Sequence, residues 1–94
     1  LVAGQTALNI QLALLPPDDL ALADTYASLG HIYNSLQRPE EGFLALDRAI
    51  TIYDQHLSPN SPTTAFALTI TAEYLARIGE FQEAEVRLLR ALHI

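Results

Sequence analysis

Apolar residues recur at three- and four-residue steps through almost the whole chain, the spacing that lines one face of an α-helix. Ala23, Tyr26, Leu29, Gly30, Tyr33 and Leu36 form one stripe, and Phe43, Leu46, Ala49, Ile50, Tyr53 and Leu57 another. A third runs through Ala65, Leu68, Ala72, Leu75 and Ile78, and a fourth through Phe81, Ala84, Leu88, Ala91 and Leu92. Together with the apolar opening stretch 1–15, these predict five helices. No alternation of period two runs long enough to predict a strand. The breaks between stripes carry matching stop and start signals. Pro16 and Pro17 end the first helix, since proline lacks the backbone donor and clashes with the preceding turn. Asp18 or Asp19 is placed to cap the second helix, where an acid also meets the positive end of the helix dipole. Pro39 suits a first helical position, with Glu40 and Glu41 in the same turn. The one marked loop is 58–62, in which Ser61 is expected to cap a helix opened by Pro62. Gly79 supplies a left-handed stop after the fourth helix.

The stripes are copies of one another. Residues 7–10, 49–52 and 91–94 read Ala-Leu-Asn-Ile, Ala-Ile-Thr-Ile and Ala-Leu-His-Ile, 42 positions apart. In the same register Leu15, Pro17 and Ala23 return as Leu57, Pro59 and Ala65, and Leu46 returns as Leu88. Glu41 and Gly42 return as Glu83 and Ala84. A fixed period of this size signals stacked supersecondary units. It divides the chain into a half unit at 1–15, a unit at 20–57 and a unit at 62–94. The chain opens inside one unit and closes inside another. Neither end carries the polar capping element usual for a solenoid, so a segment of a longer array, or association through the ends, is expected.

Small residues hold fixed registers: Gly30 with Ala72, Gly42 with Ala84, Ala49 with Ala91. Small side chains let two helix backbones approach closely while large neighbours fill the gaps. Tyr26, Leu29, Gly30, Tyr33, Gly42, Leu46 and Ala49 resemble the signature of the tetratricopeptide-repeat family. Leu68, Ala72, Leu75, Gly79, Phe81, Ala84, Leu88 and Ala91 form a second copy. The period exceeds the family's usual 34 residues and is similar to that of the kinesin-light-chain subtype. The connection Leu57-Ser58-Pro59-Asn60-Ser61-Pro62 also resembles that subtype. Gln37 and Pro39 depart from the pattern at the turn, Gly4 stands where Leu46 and Leu88 stand later, and Thr71 replaces an apolar residue.

The resemblance implies an all-α, right-handed α–α superhelix of about five antiparallel helices that binds proteins or peptides and has no catalytic activity. It further implies that the first helix of each unit lines a concave groove. On those helices, opposite the apolar stripes, lie Asp24, Ala27, His31, Asn34 and Ser35, and then Phe66, Thr69, Glu73, Ala76 and Arg77. These are the candidate binding residues. Asn34 can donate to and accept from a ligand backbone. Arg77 can fork onto a carboxylate or pair with Glu73 four residues away. Phe66 suits a contact anchor. The dicarboxylate clamp that some family members use requires lysines. This chain has none, and Ala27 and Thr69 stand at clamp-type positions, so no such clamp is expected.

Composition narrows the partner. Eleven acidic residues against five basic ones give a formal charge of −6. That balance disfavours nucleic acid and anionic membranes and favours a basic or neutral ligand. No apolar run approaches the ~18 residues of a membrane span, and no basic leader precedes the repeat, so a soluble, cytoplasmic protein is expected. Cysteine is absent, which removes disulfides and thiolate metal sites. His31, His56 and His93 lack the spacing of helical metal ligands, and Glu80, Glu83 and Glu85 are explained by the helix dipole. No phosphate loop, dinucleotide fingerprint or nucleophile elbow is present. No cofactor, metal or enzyme activity is therefore expected. Two other functions fit the same chain: the sensory arm of a larger NLR- or STAND-like signalling ATPase, and a structural module that self-assembles.

Overall fold

The computed structural model describes residues 2–16, 19–57 and 61–93. Leu1, Pro17, Asp18, 58–60 and Ile94 lie outside the described residues, so the cap expected of Asp18 and most of the expected loop are not placed. Five helices follow in order: α1 (Val2–Leu14), α2 (Leu20–Ser35), α3 (Pro39–His56), α4 (Pro62–Arg77) and α5 (Phe81–Leu92). No strand occurs among the described residues. The fold is all-α, of the tetratricopeptide type that the sequence predicts.

Helix starts follow the local chemistry with one exception. Asp19 caps α2, its carboxylate accepting from the Ala21 amide at 2.9 Å. Ser61 stands at the cap position of α4, but its hydroxyl makes no capping bond. Instead its carbonyl accepts from the Ala65 amide at 3.1 Å. The fixed φ of Pro62 sets the first turn.

Helices α2 and α4 stop alike. The Arg38 amide donates to the Tyr33 carbonyl at 2.9 Å and the Gln37 amide to that of Asn34 at 3.2 Å. Glu80 and Gly79 repeat the pair on Leu75 (2.8 Å) and Ala76 (3.2 Å). This Schellman closure needs a left-handed residue just past the helix, with φ +62° at Gln37 and +87° at Gly79. Glycine adopts that conformation freely, whereas a side chain is strained there by about 1–2 kcal/mol. Gln37→Gly is therefore expected to stabilise the protein by about 1 kcal/mol, offset in part by the freer unfolded chain. A higher urea midpoint at unchanged slope would show it.

The helices form two layers in a slab 36 × 31 × 16 Å. Helices α2 and α4 share one layer, where the His31 and Phe66 rings meet at 5.4 Å. Helices α1, α3 and α5 share the other, where α3 and α5 are bridged by Arg87–Asp47 (2.7 Å) and by Arg90–Asp54. The core runs between the layers as three clusters. Leu22, Ala23, Ala49, Ile52 and Tyr53 form the first, Leu46, Ile50, Ala67 and Leu68 the second, and Ala72, Leu75 and Ala84 the third.

Close approach of α2 and α3 rests on the two glycines. A methyl group at Gly30 would lie 2.6 Å from Leu46 Cγ, and one at Gly42 would meet Asn34 Oδ1 and the Gly30 carbonyl at 3.0 Å. The α4–α5 pair carries Ala72 and Ala84 instead. There Ala76 stands in the register of Asn34, so a smaller neighbour makes room for the larger small residue.

The 42-residue register survives in three dimensions. Leu22 and Thr64, Leu29 and Thr71, Gly30 and Ala72, Tyr33 and Leu75, and Gly42 and Ala84 are all buried in pairs. Leu22, Ile52, Ala67 and the two threonines were missing from the expected stripes. Other stripe positions are corrected in the opposite direction. Leu36 and Ile78, equivalent residues at the two helix stops, are exposed. Phe81 is exposed, and Leu88 and Leu92 are 41 % and 79 % exposed where Leu46 and Ile50 are 1 % and 6 %. Helix α3 packs between α2 and α4, whereas α5 packs chiefly on α4. For the same reason Ala7 is exposed, Ala49 buried and Ala91 half-buried, although all three occupy one layer.

Candidate functional site

A cavity of about 520 Å3 opens between α2 and α4. Helix α2 contributes His31, Asn34 and Ser35 from its last two turns, and α4 contributes Ile70, Glu73, Tyr74 and Arg77. Gln37 and Pro39, in and just after the α2–α3 connection, close one end. The structure thus brings together five of the residues singled out from the sequence: His31, Asn34, Ser35, Glu73 and Arg77. Phe66 lies one turn beyond, 60 % exposed, tilted 43° against the His31 ring.

The remaining candidates are engaged elsewhere. The Asp24 carboxylate accepts from the Tyr53 hydroxyl at 2.9 Å, tying α2 to α3. Ala27 is half-buried and packs on the first two core clusters. The Thr69 hydroxyl donates to the Ala65 carbonyl at 3.0 Å, within its own helix. Ala76 packs against the third core cluster.

Sequence reasoning missed Ile70, Tyr74, Gln37 and Pro39. Ile70 carried a usable signal, being an apolar residue of α4 outside its stripe. Tyr74 did not, because its position depends on stacking with Phe43 of α3 at 4.9 Å.

The electrostatics of the cleft are uncommitted. Glu73 and Arg77 lie one turn apart, yet neither makes an ion pair among the described residues, so of the two alternatives for Arg77 the pairing with Glu73 is not formed. Three arginines are paired: Arg38 with Glu41 at 2.7 Å, Arg87 with Asp47 and Glu83, and Arg90 with Asp54. Asn34 lines the cleft while its Oδ1 lies close to Gly42 of α3. The site offers donors and acceptors, one free charge of each sign and an aromatic ring. These are means of recognition. Among the described residues no group of three or more His, Asp or Glu is placed to hold a metal ion, and no helix is long and apolar enough to cross a membrane.

The family profile of the tetratricopeptide repeat matches residues 21–94. The chain belongs to the tetratricopeptide-repeat family. The match takes in α2 to α5, the two helix pairs that frame the cleft. Tetratricopeptide repeats are helical scaffolds for protein interaction. No curated protein matches the chain.

Away from the cleft, the Tyr53–Asp24 bond makes one property of this tetratricopeptide repeat pH-dependent. Burial, then the hydrogen bond to Asp24 and its negative charge, push the Tyr53 phenol up to about 12 from 10.0. The folded state therefore keeps a proton that the unfolded chain releases near pH 10, and the stabilisation is complete below that pH. It is lost as pH rises from about 10 to about 12. Urea midpoints should fall through this window, and fall less in Tyr53→Phe than in wild type. Parallel declines would exclude the coupling.

Proposed function

We propose that the α2–α4 cleft docks a peptide or protein segment and that the chain works as a binding scaffold with no chemistry of its own. One observation carries this reading. Glu73 and Arg77 face one cavity with Asn34, and neither charge is spent on a neighbour among the described residues. Pairing opposite charges four residues apart on a helix gains only about 0.2–0.5 kcal/mol, so both side chains can turn to a ligand at little cost. Phe66 adds an exposed ring that a partner could cover. The formal charge of −6 favours a basic or neutral ligand. We read the chain as a half unit followed by two units, in the 42-residue manner of the kinesin-light-chain subtype.

A peptide-array screen against the whole chain, repeated with Arg77→Ala and Phe66→Ala, tests this. Peptides that bind wild type should lose about tenfold or more in affinity with either variant. Binding that ignores both substitutions, or prefers acidic peptides at the cleft, removes the proposal.

A second reading has its own support. Phe81, Leu88 and Leu92 leave an apolar strip exposed along α5, which would suit self-association. Light scattering against concentration separates the two readings, since a strict monomer eliminates the second and leaves the first intact.

A further inference from the structure

The 42-residue register builds one crevice twice, on the side of α2 and α4 away from the cleft. The second copy lies among α3, α4 and α5, the first among α1, α2 and α3. Every residue lining the second has its counterpart, 42 positions earlier, lining the first. The apolar floor is conserved in kind: Ile50, Leu68 and Val86 in one, Leu8, Tyr26 and Leu44 in the other.

The polar groups are not. In the second crevice Arg87 fills the space, and about 170 Å3 remains. Its guanidinium is held by Asp47 at 2.7 Å, Glu83 at 3.2 Å and the Thr71 hydroxyl at 3.1 Å. In the first crevice Ala45 stands in the register of Arg87, and about 360 Å3 is open. The groups that hold the arginine have changed as well. Gln5 replaces Asp47 and its amide donates to the Tyr33 hydroxyl. Leu29 replaces Thr71. Glu41 replaces Glu83 but is paired with Arg38 at 2.7 Å. Among the residues lining this crevice the one carboxylate, Glu41, already faces an arginine.

The rim has changed in the opposite sense. Arg90 of the second crevice is neutralised by Asp54. Its counterpart Arg48 is exposed and makes no ion pair among the described residues, and Leu12 stands in the register of Asp54. An open apolar pocket with one unspent cation at its edge is complementary to an apolar group beside a carboxylate.

We propose that the first crevice docks an acidic amphipathic segment of a partner protein. An apolar side chain enters the space that Arg87 fills in the second copy, and a neighbouring Asp or Glu carboxylate pairs with Arg48. The site is separate from the α2–α4 cleft and stands whether or not the cleft binds a ligand.

A nitrogen-15 amide titration of the whole chain with the end-blocked tripeptide Glu-Phe-Glu tests this. Saturable shifts are expected at Leu8, Ala45 and Arg48, with Leu68 and Val86 of the second crevice unmoved. Gln-Phe-Gln should bind about tenfold more weakly, and Arg48→Gln should weaken Glu-Phe-Glu by a similar factor. Ala45→Phe, which fills the open space with an apolar side chain and adds no charge, should abolish the shifts. Should that variant fail to fold, Arg48→Gln decides, because its side chain is exposed and outside the core. Equal binding of the two peptides, shifts at Ile70 and Arg77 instead, or no saturable shift at about 1 mM peptide would overturn the proposal.

Discussion

Leu46→Ala is expected to lower the unfolding free energy by about 2–5 kcal/mol, the range for a large-to-small change in a closed core. Leu46 is 1 % exposed and sits where three helices meet. It belongs to α3, packs with Ala67 and Leu68 of α4, and reaches the bare backbone of Gly30 on α2. Gly30 has no side chain to turn into the gap that would open, so collapse from that side should be limited. The same contact gives a control. Gly30→Ala alone forces a methyl group against Leu46 Cγ and should cost about 1–3 kcal/mol, less the ~1 kcal/mol that alanine gains over glycine in a helix. Combined with Leu46→Ala, that methyl group enters the vacated space. The double variant should therefore lose clearly less than the sum of the two single ones. Chemical denaturation of all four proteins measures the coupling. Additive losses, or a Leu46→Ala cost below about 1 kcal/mol, would show that the joint is not packed as described.

Arg87→Ala is expected to cost about 1–3 kcal/mol, although a surface ion pair is worth under about 1. The difference lies in its surroundings. Only 15 % of the Arg87 side chain is exposed. It joins α5 to Asp47 of α3 and to the buried Thr71 of α4, and its guanidinium lies 5.4 Å from the centre of the Phe43 ring. That ring in turn stacks on Tyr74. Truncation removes a charge-assisted bond to Thr71 and the guanidinium that lies over the Phe43 ring. The Asp47 and Glu83 carboxylates are themselves about half exposed and will rehydrate, which keeps the cost below that of a fully buried pair. Arg87→Lys keeps the charge but not the planar fork, and should recover less than half of the loss. Raising the salt to about 1 M should weaken the contribution of the two carboxylates and leave the packing contribution in place. A thermal or urea series on the two variants at low and high salt resolves these parts. Full rescue by lysine would mean that charge alone matters.

The cleft was only partly readable in advance. His31, Asn34, Ser35, Glu73 and Arg77 follow from helical period, since a residue opposite the apolar stripe must face away from the core. Asp24, Ala27 and Thr69 satisfy the same rule yet are drawn elsewhere, by the Tyr53 hydroxyl, by the core clusters and by a carbonyl one turn back. Those partners lie on other helices or compete locally, and stripe geometry does not register them. Arg87 shows the limit most clearly. In sequence it follows Glu83 by four residues and reads as a solvated helical pair, and only Asp47 and Thr71, 40 and 16 positions away, reveal what it joins.

The amino-acid order by itself determined the five helices, their stops and the 42-residue register. The signals for these act within one or two turns: proline at a first position, Asp19 at a cap, glycine at a left-handed stop, and small residues where backbones must meet. Tertiary structure alone decided which copies of the repeated phrase are covered. Leu46 and Ile50 are buried while Leu88 and Leu92 are exposed, because burial is conferred by a neighbouring helix and α3 has one on each side. It also decided that one of two equivalent crevices is filled by the chain's own arginine and the other is open, since that depends on side chains from three helices converging at one point.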